Sequence, residues 1–299
     1  MIRIAYQILT YKEPERVARL ANRVLTGSDI MYIHFDTMIG RKRFEAWKKL
    51  IRQKCPNKNI EIASKYRCKW GSFGSVDATL SSMRYYEDHN YDYFINLSGD
   101  CYPLKHPDAI KKELNGKNCS FMEYFKLPCD KWWKGGLNRI DNRFYFMPRP
   151  DYPYVWTFSI PRLKKGLPSG LDPYGGHGGL CLMKKHVSYI LGFIKENPDV
   201  RNFFIRAFAP DEMFFATILM NSPLKSSVVN ESKWYRDFSA GKAHPKNLTR
   251  EDFETLKKSG RLFARKFNLS VDNDILDLID KEIENRFTAF TQTNNIENK

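Results

Sequence analysis

Tyr91-Asp92-Tyr93-Phe94-Ile95-Asn96-Leu97-Ser98-Gly99-Asp100 decides the fold class of this 299-residue chain. The segment through Gly99 reads as one buried strand, and Asp100 stands just past its C-terminal end. The stretches before it alternate in the same way. Ile2 to Leu9 is a short apolar run, again strand-like, and Glu13 to Leu25 then places Val17, Leu20, Ala21, Val24 and Leu25 at helical spacing. Ile30 to Phe35 is a second strand that ends in Asp36. Arg41 to Arg52 is helical, with Phe44, Trp47, Leu50 and Ile51 on one face, and residues 59–64 form a third strand. The loop Trp70-Gly71-Ser72-Phe73-Gly74-Ser75 leads into a helix over Val76 to Asp88. Strand alternating with helix predicts an α/β fold with a mostly parallel sheet. Ligands of open α/β sheets bind beyond the carboxyl ends of strands. Asp36 and Asp100 stand there, although each would serve equally as a turn or cap aspartate.

Beyond Asp100 the spacing predicts a helix over Pro107 to Leu114 and a strand over Cys119 to Phe125. From Leu127 to Leu171 the pattern is irregular, and long loops in compact domains are usually functional. Trp132, Trp133, Tyr152, Tyr154 and Trp156 fall there, as a stacking surface for sugar rings or bases or as core plugs. Tyr174-Gly175-Gly176-His177-Gly178-Gly179 lets a backbone approach a ligand closely, but it is not a dinucleotide GxGxxG. Leu180 to Met183 is a short strand and His186 to Lys195 a helix. In Ala209-Pro210-Asp211-Glu212-Met213-Phe214-Phe215-Ala216-Thr217, proline suits the first helical turn, where the dipole also favours the two carboxylates. The residues behind them are apolar nearly all round, as in a buried helix. A carboxylate pair at the rim of the core is either ordinary capping or chemistry. Thr249 and Asp252 cap a helix ending at Lys258. Asp272 to Phe287 is a last amphipathic helix, followed by a polar tail, 288–299, expected to fray.

The formal charge is +15, which implies an anionic partner: nucleic acid, a membrane surface or a phosphorylated small molecule. The basic residues are not in blocks and no RRM, KH or zinc-finger signature appears, so nucleic acid is not the expected partner. Six scattered cysteines without a CxxC pair read as reduced thiols. Met1 to Gln7 enters a strand directly, and no apolar run is long enough to span a bilayer. The expected location is therefore cytoplasmic, with possible peripheral contact at the anionic inner face of the membrane.

Together these stretches resemble the core-2/I-branching glycosyltransferase family, which includes peptide O-xylosyltransferases. The resemblance is carried, in order, by Tyr32-Ile33-His34-Phe35-Asp36, Trp70-Gly71-Ser72, the run from Tyr93 to Leu104, the run from Pro210 to Ser222, His244-Pro245 and Leu262-Phe263-Ala264-Arg265-Lys266-Phe267. It implies a single GT-A-type catalytic domain over 1–287, with a nucleotide-binding half to about residue 125 and an acceptor half after it. It implies a UDP-sugar donor, inversion at the anomeric carbon, no cofactor and no metal. Leu97-Ser98-Gly99-Asp100 carries one carboxylate where an Asp-X-Asp motif would carry two. By the same resemblance Glu212 is the base, and Arg236 and Lys266 hold the diphosphate, with Arg265 and Lys242 nearby. Tyr11, Asp36, Trp70 and Asp100 lie near the nucleoside and donor sugar. Glu123, His177 and Asp211 meet the acceptor. Phe125 stands where a second acceptor-reading carboxylate is expected, which argues against a mucin-type acceptor and for a lipid-linked glycan. GlcNAc is the expected sugar, with xylose or another UDP-linked sugar as the alternative.

Overall fold

The computed structural model describes residues 2–297 apart from Asn57, 151–154, Lys165, Ala240 and 242–243, with side chains described for these except 148 and 289–297. Tyr152, Tyr154 and Lys242, singled out above, lie outside the described residues.

Seven strands form the central sheet, in the order Val228–Asn230, Ser120–Met122, Leu180–Met183, Tyr93–Ser98, Ile4–Thr10, Ile30–Phe35, Ile60–Ala63. Leu180–Met183 is antiparallel to both neighbours, and every other pairing is parallel. Strands from both expected halves of the chain thus pair in one sheet. Both faces are covered, which is why Ile30–Phe35 is buried at every position and reads as an unbroken apolar run. Side chains alternate between the two layers. Ile4, Tyr6 and Ile8 pack with Val17, Leu20, Ile275 and Ile279 on one side. Ala5, Ile30 and Tyr32 pack with Val76, Leu80, Phe214 and Ile218 on the other. Truncating a ring such as Phe214 to Ala would cost about 3–5 kcal/mol, the usual loss for a buried aromatic.

Several elements depart from expectation. Pro210–Glu212 is one 3-10 turn, closed by Met213 N–H donating to Pro210 O (3.0 Å), and the helix proper is Phe214–Met220. Asp211 and Glu212 are therefore not in the first turn of the apolar helix. The break falls at Met213 (φ −131°), and it lets Met213 and Phe214 both enter the core while the carboxylates stay at the rim. Ala209, just before, takes a left-handed conformation at φ 47°, a strained choice for a residue with a Cβ.

The irregular stretch holds an antiparallel hairpin, Asn142–Pro148 with Val155–Pro161. Its prolines read as breakers, yet they sit at strand ends, where a missing N–H is tolerated. The strand expected over Cys119–Phe125 is split: Ser120–Met122 joins the main sheet, and Phe125–Lys126 pairs with Tyr174–Gly175. The helix expected over Val76–Asp88 runs Gly74–Tyr85, and the last helix spans Ile275–Glu297, past the expected end at Phe287. Thr249 and Asp252 form the reciprocal cap anticipated for their helix. No helix among the described residues is long and apolar enough to cross a membrane.

Candidate active site

Ile4–Thr10 lies between Tyr93–Ser98 on one side and Ile30–Phe35 on the other. The chain therefore winds in opposite directions from this strand, and the loops at its carboxyl end part to leave a crevice. Gly99 lets the two strand ends approach closely there: a Cβ would stand 2.2 Å from Thr10 Oγ1. The Lys12 N–H donates to the same hydroxyl (2.9 Å). Asp100 sits in the crevice with Lys12 Nζ at 3.6 Å and Arg16 Nη2 at 3.7 Å. Its carbonyl accepts from the Phe267 N–H (3.0 Å), which brings Lys266 beside it. Tyr11 is exposed, with the Lys12 ammonium 4.9 Å from its ring centre. Trp70, also exposed, meets Phe208 (5.3 Å) and His244 (5.6 Å) edge to face.

Asp36 follows the strand Ile30–Phe35. It is buried, and its two carboxylate oxygens accept from the Met38 and Cys68 N–H groups (2.9 Å each). These bonds fasten the loops beyond two strands, the turn-and-cap role open to a strand-end aspartate.

A second, three-stranded sheet of Trp234–Tyr235, Phe263–Ala264 and Tyr102–Pro103 builds a cationic corner. Its register pairs Tyr235 with Ala264, so Arg236 and Arg265 emerge next to each other. Arg236 is only 8% exposed. Burial, and next the charge of Arg265, lower its pKa from the ordinary 12.5 to about 10. Among the described residues the Nε atoms of both Arg236 and Arg265 are buried without an acceptor. Buried donors left unpaired are costly, and an anion would satisfy them. Lys266 follows directly. The His244 imidazole is held below its ordinary pKa by burial first, then by Lys266 and Arg265.

The carboxylates face this corner. The Gly176 N–H donates to Glu212 O (2.8 Å), and the Ala209 N–H to Gly71 O (2.8 Å), so the turn is tied to two loops. The Glu212 side chain accepts from Arg139 Nη1. The Arg139 guanidinium lies 3.7 Å over the Trp132 ring, a cation–π contact that fixes its plane. Asp211 is half-buried. Burial, reinforced by the adjacent Glu212 charge, pushes its carboxyl up to about 7, against the pull of Arg139 and Arg265. Glu123 Oε1 lies 3.1 Å from His177 Nδ1, and its Oε2 lies 3.9 Å from Arg236 Nη1. His177, then Arg236, hold the Glu123 carboxyl below its ordinary range.

Glu212, Asp211, Arg236, Lys266, Glu123 and His177 thus gather around one corner, with Asp100, Tyr11 and Trp70 along the adjoining crevice. Arg139 was not singled out from the sequence: it sits in a single turn, Asn138–Asp141, with no periodicity to mark it. Arg265 ranked below Lys266, because only strand register reveals that it neighbours Arg236. Of the aromatics, Trp132 packs between Phe125 and Arg139, whereas Trp133 and Trp156 are exposed.

Comparison with known proteins places these features in context. Xylosyltransferase 2 of Rattus norvegicus is 23% identical over 306 residues, covering 94% of this chain and 33% of its own length. Xylosyltransferase 1 of Mus musculus is 24% identical over 315 residues, covering 97% and 31%. The chain spans about a third of the length of these relatives. Among solved structures, the galactosyltransferase LgtC in complex with donor and acceptor sugar analogs aligns with a TM-score of 0.41 and 11% identity, over 89% of this chain and 87% of that one. Residues 4–257 match the model of the Core-2/I-Branching enzyme family. With that match across most of its length, the chain belongs to the Core-2/I-Branching enzyme family, a family of glycosyltransferases.

Proposed function

We propose that this chain transfers a sugar from a UDP-sugar to a glycan hydroxyl by a single inverting displacement. The acceptor hydroxyl gives its proton to Glu212 as its oxygen attacks the anomeric carbon. The bond from that carbon to the diphosphate oxygen breaks on the opposite face, and UDP leaves with the electron pair. Base and leaving-group stabilisation are the two demands of such a step. The observation that carries this reading is the pair Arg236 and Arg265, each with a buried, unpaired Nε, in the same corner as Glu212. With Lys266 they suit a diphosphate, for which guanidinium forks are well shaped.

Asp100 is flanked by Lys12 and Arg16. A carboxylate already matched by fixed cations supports a metal-independent site in which the arginines and Lys266 do the work of a divalent ion. Tyr11, Trp70 and Asp100 line the donor side, and Glu123, His177 and Asp211 the acceptor side. No cofactor is invoked beyond the donor. GlcNAc is the sugar we favour and a lipid-linked glycan the acceptor, with anionic membrane contact supported by the excess of basic residues. The names of the xylosyltransferase relatives make xylose the alternative sugar. Calorimetry with UDP, GDP and ADP, each with EDTA and with manganese, tests the donor. UDP should bind best in both conditions. A protein that binds none of the three nucleotides would overturn the reading.

A further inference from the structure

The hairpin Asn142–Pro148 and Val155–Pro161 has two unlike faces. Directly paired residues share a face. On the inner face Phe144 packs on Phe208, ring centres 5.3 Å apart. On the outer face Arg143 pairs with Ile160, Tyr145 with Phe158 and Met147 with Trp156. Tyr145 and Phe158 stack at 4.8 Å and 7°. Met147, Trp156, Phe158 and Ile160 are 46%, 55%, 47% and 51% exposed, and Leu163 just beyond them is fully exposed. A monomer seldom concentrates so many exposed apolar side chains on one surface without using them.

The charge around this face is one-sided. Among the described residues of 142–166, Arg143, Arg149, Arg162 and Lys164 are basic and none is acidic. At the root of the face a cavity of about 530 Å³ is lined by Arg143, Tyr145, Arg162, Arg206, Phe203 and Asp199 among others. Arg162 is fixed there: its guanidinium covers Phe203 at 3.8 Å and donates to the carbonyls of Phe203 (3.0 Å) and Asn142 (3.2 Å). Arg206 lies 4.9 Å over the Tyr145 ring. Three guanidinium groups around one opening outnumber the lone Asp199, and they suit phosphate oxygens. Apolar and aromatic tips rimmed by arginine form the pattern that settles at the headgroup boundary of anionic lipid.

We propose that the outer face of this hairpin docks on an anionic bilayer surface. Met147, Trp156, Phe158 and Ile160 enter the headgroup–acyl boundary, and Arg143, Arg162 and Arg206 take lipid phosphates. The inner face leads through Phe144 to Phe208, which touches Trp70 and, at 5.9 Å, Arg139. Docking there would hold the mouth of the candidate site beside the membrane, where a lipid-borne acceptor would present its hydroxyl. That consequence rests on the transferase reading, whereas vesicle binding is measured without any transfer.

The test is co-sedimentation of the full chain with vesicles of phosphatidylcholine alone and with about one third phosphatidylglycerol. Binding to the anionic vesicles only is expected. Arg143→Glu, and Trp156→Ser combined with Phe158→Ser, should each lower partitioning at least about fivefold. Lys49→Glu makes the same change in net charge on the helix Arg41–Lys54 and should stay within about twofold of the parent. In the parent itself, brominated acyl chains should quench tryptophan fluorescence on anionic vesicles, a result that depends on no variant. Absence of vesicle binding or of quenching overturns the proposal, as does an equal loss in Lys49→Glu. A dimer dissolved by the Trp156 and Phe158 changes, with no vesicle binding, would assign the face to a second copy instead. UDP affinity, measured in parallel, reports the donor site separately.

Discussion

Arg139 and Glu212 are ion-paired across the mouth of the candidate site, and the same guanidinium is braced on the Trp132 ring. The pair joins two segments far apart in the chain, and it fixes where the carboxylate points. Arg139 is therefore a positioning residue for the proposed base. Arg139→Ala should lower kcat about tenfold to a hundredfold, the worth of one charge-assisted hydrogen bond of about 1.5–3 kcal/mol. KM for the donor should move little, and Arg139→Lys should recover part of the loss. A donor KM that rises while kcat holds would place Arg139 on the donor instead.

Glu212→Gln tests the base itself. The amide keeps the shape and can still meet Arg139, but it cannot accept the proton. Transfer should fall by about 10²–10⁴-fold, the range for loss of a general base. UDP affinity should be unchanged. Retained turnover with a lowered melting temperature would reduce Glu212 to a structural group of the turn.

The strands that build the sheet were legible in the sequence for one physical reason. Ile30–Phe35 and Tyr93–Ser98 are covered by core on both faces, so burial writes itself as a continuous apolar run. Asp211 and Glu212 stood out because charge interrupts such a run. The hairpin at Asn142–Pro161 was hidden, since its apolar side chains are largely exposed and its ends are proline. Arg139 was hidden, and Arg265 ranked below Lys266, because partners remote in sequence decide what they do. For Asp36 the sequence left two roles open, because a strand-end aspartate that caps backbone and one that meets a ligand look alike until its N–H donors are counted.

Asp211 should make stability depend on pH. Its carboxyl is pushed up to about 7 from the ordinary 3.8, chiefly by burial. Between those values the folded state holds more protons than the unfolded chain, so this contribution is complete at low pH and is lost as pH rises through about 7. Asp211→Asn removes the dependence. Its stability relative to the parent should rise from pH 4.5 to pH 8 by at least about 1.4 kcal/mol, the worth of one pKa unit. Urea unfolding of both proteins at the two pH values measures it. A constant difference between them would show that Asp211 titrates normally.

Metal dependence follows from Asp100. Lys12 and Arg16 already match its charge, and on the proposed reading the cationic corner would supply what a divalent ion gives a leaving diphosphate. Transfer should persist in EDTA within about twofold, below the effect of losing one good charge-assisted bond. Turnover abolished by EDTA and restored by manganese would reject this. Lys12→Ala should then make the difference between the two conditions larger.

Arg236 offers the sharpest test of the donor site. It is buried beside Arg265, its Nε has no acceptor among the described residues, and its own pKa is depressed. With Glu123 no nearer than 3.9 Å, a cation held in that state is only weakly stabilised in the free protein. Arg236→Ala should therefore leave the melting temperature of the free protein unchanged or higher. It should weaken UDP binding by about 1.5–3 kcal/mol, and so shrink the upward shift that UDP gives. Gly179→Ala reaches the same group without removing its charge. A Cβ there would stand 2.5 Å from Arg236 Nη2 and 2.8 Å from the Trp234 ring. Trp234 is buried and cannot retreat easily, so the guanidinium must give way. UDP affinity should fall in this variant too, although every charge is retained. If calorimetry finds UDP bound as tightly in both variants as in the parent, the diphosphate lies elsewhere, and Lys266 and Arg265 are the next groups to replace.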